Sequence, residues 1–324
     1  MRNIPGAVRL LLTATVLAAS SAHGQTIDRA RQLFDAGEHA AAKRELIAIH
    51  QARRDDAESA YLLGRIALIE NDGDEAVRRL ERAVELDGSK AAYHAWLGNA
   101  IREVTPRAGK IRMALNARRM RREWERALQL DPDQIDARAG LIQFYAMAPG
   151  VMGGSMDKAR AQAAEIARRN AMRGALARGL IAEVEGNVAA EEATYRQAVI
   201  AAPDSSAGYF ALANMLARTG RGDDAFAVLV RYAERRPDDR WVLYYTGRVA
   251  GVSGLQPDRG ERALNQFLAS PSVDANVVFL AGAHYWLGQI ASKREMKDVA
   301  REHYRTALTI NPYSPAKRAL EEMK

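Results

Sequence analysis

Small and apolar residues recur along this chain at a fixed spacing of 34 positions. Residues in this register include Gly64 with Gly98, Pro203 with Pro237, and the series Gly179, Ala213 and Gly247. A period of this length predicts a stack of helix–turn–helix repeats, none of which can bury its apolar face alone. The chain has no long alternation of apolar and polar residues of the kind that strands show, so we expect an all-α fold.

Each repeat places small residues where two helices must approach closely. Counting Gly64 as the eighth position of its repeat, Ala76 falls at the twentieth and the bulky Leu80 at the twenty-fourth. Because protein interiors are densely packed, we expect the bulky side chain to fill the space beside the small one. The turn Asn71-Asp72-Gly73 is expected to end a first helix, and Asp131-Pro132 to end a second.

These positions resemble the tetratricopeptide repeat family. The resemblance implies a right-handed α-solenoid of about eight stacked helix–turn–helix units over residues 25–324, with a C-terminal capping helix. The expected repeats are 25–56, 57–90, 91–134, 135–171, 172–205, 206–239, 240–280 and 281–313, with the cap at 314–324. The period is interrupted by extra residues at 105–109, 148–154 and 255–276, which we interpret as surface loops or additions to a binding face.

Residues 1–24 have the composition of a secretory signal peptide. Arg2 and Arg9 precede an apolar run from Leu10 to Ala19, which is too short to span a bilayer. The small residues Ala22 and Gly24 predict cleavage before Gln25, with cleavage after Ala22 as the alternative. We therefore expect a soluble protein exported from a bacterial cytoplasm, periplasmic or otherwise exported; the alternative is that the segment is retained as a membrane tether.

The net charge of +7 is concentrated in one segment, and loss of Arg2 and Arg9 would leave +5. Residues 102–126 contain nine basic residues and three acidic ones. Such a segment is either a solvated helix face or a contact for an acidic protein or an anionic lipid surface. Because the export signal directs the protein out of the cytoplasm, we expect no nucleic-acid partner.

The sequence contains no arrangement of residues typical of an enzyme. It has no cysteine, and no His-x-x-x-His pair for a metal. His94 and His284 occupy a packing position of their repeats, which favours core histidines. Gly109-Lys110 lacks the other residues of a phosphate-binding loop. We expect no catalytic residue, no metal and no cofactor.

The resemblance implies that the first helix of each pair lines a concave groove through positions two, five, nine and twelve. The residues at these positions that suit an extended peptide are Arg31, Tyr61, Arg65, Asn99, Gln143, Phe210, Asn214, Trp241, Tyr244, Arg248, Tyr285 and Gln289. Aromatic rings can cover apolar side chains and stack on guanidinium groups, and carboxamides can pair with a peptide backbone. Such side chains are expected to be partly solvated. The alternatives are that the aromatic residues belong to the core and that the polar residues are merely solvated.

The family's clamp for a C-terminal carboxylate is not supported, because Ala95 and Phe210 stand where a lysine would precede Asn99 and Asn214. The sequence thus predicts an exported, non-enzymatic scaffold of the cell envelope that binds proteins or peptides. The alternative function is an accessory subunit of an envelope transport or polysaccharide-export system, which holds a small ligand or docks a membrane complex.

Overall fold

The structure of the chain is a computed structural model that describes residues 27–53, 55–270, 277–312 and 315–323. The predicted signal peptide at 1–24 lies outside these residues. All regular elements in the described ranges are helical, which confirms the all-α fold class. The helices are α1 (27–35), α2 (His39–Ala52), α3 (Ala57–Ile69), α4 (Gly73–Leu86), α5 (Ala91–Val104), α6 (Lys110–Leu130), α7 (Ile135–Met147), α8 (Met156–Arg169), α9 (Ala171–Val184), α10 (Val188–Ala201), α11 (Ser206–Arg218), α12 (Gly222–Arg235), α13 (Trp241–Ser253), α14 (Pro257–Ala269), α15 (Val277–Lys293), α16 (Lys297–Ile310) and α17 (Ala316–Glu322).

The chain divides after Gln134 into an N-terminal module, Met1–Gln134, and a C-terminal module, Ile135–Lys324. Within each module, helices that follow one another pack as pairs joined by short turns, such as α3 with α4 and α15 with α16. The first helices of successive pairs also contact one another, as α11 contacts α13 and α13 contacts α15. This stacking of helix pairs in chain order is that of an α-solenoid.

The two helices of a pair approach closely where the sequence places glycine at the eighth position. A β-carbon added to Gly64 would lie 2.6 Å from Leu80 Cγ, and one added to Gly288 would lie 2.4 Å from Tyr304 Cε1. Ala76 and Ala300, at the twentieth position, are completely buried. The prediction that a bulky side chain fills the space beside each small residue is therefore confirmed.

Side-chain caps and left-handed residues form the turns between paired helices. Asp72 accepts a hydrogen bond from the Glu75 backbone N–H and caps the N-terminus of α4. The left-handed residue of that turn is Asn71, with φ of 62°, whereas Gly73 is already the first residue of α4. The turn therefore follows the end of α3, as expected, and Asn71 rather than Gly73 adopts the left-handed conformation, which asparagine tolerates. Asp131, as expected, directly follows the last residue of α6.

The interruptions of the period lie between helices or extend them. The 105–109 segment forms a 3-10 turn, Thr105–Arg107, and is followed by α6, which has 21 residues where α5 has 14. A second 3-10 turn, Gly150–Met152, lies in the 148–154 segment. In the third interruption Pro257 begins α14, and residues 271–276 lie outside the described ranges. No helix in the described part of the chain combines the length and apolar character needed to cross a membrane.

Candidate partner-binding groove

In the N-terminal module, three of the predicted groove residues are held by contacts with neighbouring side chains. Tyr61 is buried and stacks on Tyr93, with ring centroids 4.7 Å apart. The Arg65 guanidinium lies 4.4 Å from the ring centroids of both Phe34 and Trp96. Arg31 forms ion pairs with Asp28 and Glu58 at 2.8 and 3.2 Å. The expectation of a partly solvated side chain is wrong for Tyr61.

Asn99, the fourth predicted residue of this module, acts between two helices of one pair. Its Oδ1 accepts a hydrogen bond of 3.2 Å from Trp124 Nε1, and Trp124 is almost completely buried. A buried indole N–H requires an acceptor, so this contact accounts for the carboxamide. The four predicted residues of the N-terminal module therefore serve internal packing and pairing.

The C-terminal module contains an open pocket of about 510 Å³ between its first helices. Its lining is supplied by α9, α11, α13 and α15 and consists of Leu176, Ser206, Ala207, Phe210, Ala211, Asn214, Trp241, Tyr245 and Phe279. Three of these residues, Phe210, Asn214 and Trp241, were predicted from the repeat positions. The volume lies within the range of about 300–1,000 Å³ that is usual for ligand sites.

Aromatic rings form most of the pocket wall. Phe210 and Tyr245 stack at 4.0 Å between centroids, and Trp241 meets Phe279 edge to face at 4.5 Å. Burial raises the pKa of the Tyr245 hydroxyl above its ordinary value, so this group stays neutral and can donate a hydrogen bond. Rings held by one another are rigid, so an apolar side chain could bind here with little ordering of the wall.

Two polar groups near these rings lack a hydrogen-bond or ion-pair partner among the described residues. Asn214 Oδ1 is buried and accepts no hydrogen bond, which leaves an acceptor beside the pocket. The Arg248 guanidinium lies 5.3 Å from the Trp286 ring centroid and forms no ion pair within the described ranges. A peptide N–H would satisfy Asn214, and a carboxylate would satisfy Arg248.

Some predicted residues are more deeply buried than expected. Phe210 and Tyr244 are buried at 7% and 5% exposure, and both belong to the apolar core of the module. The Tyr244 hydroxyl accepts a hydrogen bond from Trp286 Nε1 at 3.3 Å. The expectation that these two rings are partly solvated is wrong, because position five lies at the boundary between core and groove.

The remaining predicted residues lie outside this pocket. Tyr285 contacts Trp286 and Tyr304 and packs against the cluster formed by α15, α16 and α17. Gln143 and Gln289 are half-buried and do not line it. The structure therefore brings together Phe210, Asn214 and Trp241 in one pocket, and Arg248 is close enough to the lining residue Tyr245 to influence the pKa of its hydroxyl.

A second depression continues along the same face of the module. It has a volume of about 330 Å³ and is lined by α7, α8 and α9, with Leu176 shared between the two depressions. Its polar groups are Asp136 and Arg173, whose side chains are 3.7 Å apart. Together the two depressions form a groove along the C-terminal module, which we call the C-terminal groove.

The repeat positions missed several residues of the C-terminal groove. Tyr245 and Ala211 occupy position six, one residue after the position that was expected to face the groove. Trp241 and Tyr245 are four residues apart, so the helical spacing of two large aromatics on one face was a usable signal. Phe279 lies before the first position of the last repeat, so the repeat positions could not place it in the groove.

The described histidines and carboxylates form no cluster of three or more that could hold a metal ion. His94 is buried, with Nδ1 2.7 Å from Glu123 Oε2 and Nε2 3.1 Å from the Gly88 carbonyl oxygen. It is a packed core histidine, as the sequence predicted. His284 and His303 face each other with their Nδ1 atoms 3.4 Å apart.

Models of the tetratricopeptide repeat match residues 192–240 and 281–314. No curated protein sequence matches the chain. Among solved structures, a tetratricopeptide repeat protein from Parabacteroides merdae ATCC 43184 is similar, with 12% identity and a TM-score of 0.54; the match covers 86% of this chain and 99% of that one. A chain of the APC/C hetero-tetramer Cut9-Hcn1 is similar at 14% identity and a TM-score of 0.50, covering 92% of this chain and 55% of that one. At these identities the likeness concerns the fold, which agrees with the stacked helix pairs and with the small residues at their close approaches. The chain therefore contains tetratricopeptide repeats, at residues 192–240 and 281–314.

Proposed function

We propose that this protein is a non-enzymatic scaffold of the bacterial cell envelope that binds an extended segment of a partner protein in the C-terminal groove. Tetratricopeptide repeats generally mediate protein–protein interactions. The observation that carries the proposal is the aromatic pocket of Phe210, Tyr245, Trp241 and Phe279 beside an unpaired acceptor, Asn214 Oδ1. An apolar anchor residue would fill the pocket while its backbone N–H donates to Asn214.

Charge near the pocket favours an acidic residue close to that anchor. Arg248 forms no ion pair within the described ranges, and its guanidinium is held over the Trp286 ring. A cation that is already oriented and has no carboxylate partner can bind an incoming carboxylate without breaking an existing pair. The partner segment would therefore carry an apolar or aromatic residue with Asp or Glu nearby.

The experiment is site-specific photo-crosslinking in intact cells. A benzoylphenylalanine at Ala207, in the pocket, should capture a partner protein that mass spectrometry can identify. The matched control is the same group at Ile200, which is 78% exposed but lies outside the C-terminal groove. Equal capture at both positions, or none at Ala207, would contradict the proposal.

The variant Arg248→Gln tests the charge contribution in the same assay. We expect weaker capture at Ala207, with a loss that shrinks as salt is raised, because attraction between exposed charges is screened.

A second candidate function is that of an accessory subunit of an envelope transport system, favoured by a pocket volume suited to a small ligand. A small molecule retained by the purified protein in native mass spectrometry, without crosslinked protein, would support it instead.

Export is the part of the proposal that rests on the N-terminal sequence. The apolar run from Leu10 to Ala19 and the small residues before Gln25 support cleavage of a signal peptide. Sequencing of the protein from cells should find a chain that begins at or near Gln25. Folded protein that retains Met1 in the cytoplasm would contradict the proposed location in the cell envelope.

A further inference from the structure

The first two turns of α6 expose apolar side chains that no neighbouring helix covers. Ile111 is 82% exposed and Leu115 is 60% exposed, whereas the buried residues of this helix begin at Ala117 and continue with Trp124 and Ala127. The extra length of α6 therefore extends beyond the part that packs on α5. Large aliphatic side chains exposed to this degree and close together are a feature of interaction surfaces.

The same part of the helix carries a strong positive charge. Residues 110–122 contain six basic residues and no acidic residue. Arg119 pairs with Glu81, but Lys110, Arg112, Arg118 and Arg122 form no ion pair within the described ranges. Gly109 provides no side-chain cap and the first turn lacks carboxylates, so the positive end of the helix dipole is also uncompensated.

The exposed apolar and basic residues lie on one side of α6. Ile111, Leu115, Arg118 and Arg122 follow each other at intervals of four, three and four residues, which places them along one helical face. This face, which we call the α6 stripe, is opposite the side that packs Trp124 into the module. It combines aliphatic groups at one end with guanidinium groups at the other.

We propose that the α6 stripe binds the surface of an anionic phospholipid membrane. Ile111 and Leu115 insert between the headgroups, and Arg118 and Arg122 contact lipid phosphates. The membrane interface offers acyl chains and phosphates within a few ångströms of each other, which matches the composition of the stripe. A purely acidic surface would satisfy the arginines and leave the aliphatic side chains in water. The site lies in the N-terminal module and does not depend on the function proposed for the C-terminal groove.

The absence of cysteine from the sequence allows a local measurement on the full-length chain. Ile111→Cys is labelled with an environment-sensitive dye and mixed with vesicles of phosphatidylcholine, with or without phosphatidylglycerol. We expect a blue shift of the dye only with the anionic vesicles. Ile200→Cys, at a residue of nearly equal exposure in the other module, is the matched control and should not shift.

The charge of the stripe is tested by adding Arg118→Gln and Arg122→Gln to the labelled protein. Loss of two basic residues at the interface should raise the lipid concentration needed for half of the shift by about 30-fold. Arg262→Gln with Arg305→Gln, two exposed arginines of the C-terminal module without ion pairs in the described ranges, should change it less than twofold. All variants are compared in the same chain, so any difference arises from the substituted residues.

Three results would overturn the proposal. The dye at position 111 could show no shift with anionic vesicles while circular dichroism shows a folded protein. The control arginines could have the same effect as Arg118 and Arg122, which would indicate attraction by the net charge of the protein alone. Finally, poly-glutamate could shift the dye as strongly as anionic vesicles do, which would assign the stripe to an acidic protein.

Discussion

Phe210 and Tyr245 lie face to face, with ring centroids 4.0 Å apart and planes inclined by 17°. Phe210 projects from α11 into the core of the C-terminal module, whereas Tyr245 on α13 is only partly buried. One stacked pair thus joins the apolar core to the wall of the C-terminal groove. A substitution in this wall is therefore expected to affect stability as well as the proposed binding.

Phe210→Ala should lower the free energy of unfolding by about 3–5 kcal/mol, because it leaves a cavity in the core and removes the ring that supports Tyr245. Urea unfolding followed by circular dichroism measures the change. Asn214→Ala, one turn along the same helix, removes a side-chain oxygen that has no hydrogen bond and should cost less than about 0.5 kcal/mol. Similar costs for the two variants would show that Phe210 is a surface residue.

Gly288→Ala should destabilise the C-terminal module even though alanine is the better helix former. The new β-carbon would lie 2.4 Å from Tyr304 Cε1, so the ring must move. We expect the free energy of unfolding to fall by about 1–2 kcal/mol. This is the cost of overpacking less a gain of about 1 kcal/mol in helix propensity.

Two further variants separate overpacking at Gly288 from a general effect of glycine substitution. Gly150→Ala places its β-carbon where no heavy atom lies within 4 Å and should change stability by less than about 0.5 kcal/mol. In a double-mutant cycle, Tyr304→Leu should relieve part of the cost of Gly288→Ala. Strict additivity of the two substitutions would contradict the predicted contact.

Arg218→Met should be costly because it leaves a buried carboxylate without its partner. Glu191 has 2% side-chain exposure, and both of its carboxylate oxygens lie 2.7 Å from Arg218 Nη2. We expect the free energy of unfolding to fall by about 1–3 kcal/mol, and the double variant with Glu191→Met to recover much of that loss.

Arg221→Met is the matched control for the loss of an arginine. Its partners Glu192 and Asp224 are more exposed than Glu191, so the expected cost is below about 1 kcal/mol. Chemical denaturation of the three variants beside the wild type gives the comparison. An Arg221→Met variant as unstable as Arg218→Met would show that burial of the carboxylate is not the cause.

Acidification should destabilise the pairing of α15 with α16. Burial lowers the pKa of both His284 and His303 below 6.5, and for His284 the neighbouring histidine lowers the pKa further. Glu302 and Glu261 oppose this effect at His303 without reversing it. Since the unfolded chain takes up these protons more readily, the contribution of the pair is complete above pH 6.5 and is lost as the pH falls below it.

Melting temperatures of wild type and His303→Gln across pH 7.5 to 5 test the histidine pair. We expect the wild type to lose more stability than the variant on acidification, because the variant lacks one of the two groups that resist protonation. His39→Gln leaves the pair intact and should follow the wild type. Parallel curves for wild type and His303→Gln would contradict the prediction.

The repeat architecture could be predicted from the sequence because it depends on contacts between residues near in the chain. Small residues at fixed positions, such as Gly64 and Gly288, permit a close helix approach only if the facing helix supplies Leu80 or Tyr304. Both partners lie within one repeat, so their spacing recurs and can be read directly. The all-α class and the stacked helix pairs followed from this pattern.

The division between core and groove could not be read in the same way. Neighbouring positions on a helix differ by about 100° in direction, and whether position five or position six faces the groove depends on where the next helix crosses. Tyr244 therefore lies in the core, whereas Tyr245, one residue later, lines the pocket. Likewise, Arg65 had the composition of a groove residue but is held between the rings of Phe34 and Trp96.

By itself, the sequence determined the repeat period, the helix pairs and the concentration of positive charge at 102–126, because each of these is a property of local residue order. Only the tertiary structure decided which aromatic rings form a pocket, which of the arginines lack a carboxylate partner, and that Ile111 and Leu115 remain exposed beyond the end of their helix pair. The physical reason is that burial and pairing depend on neighbours from other helices, and these neighbours are set by how the pairs cross and stack.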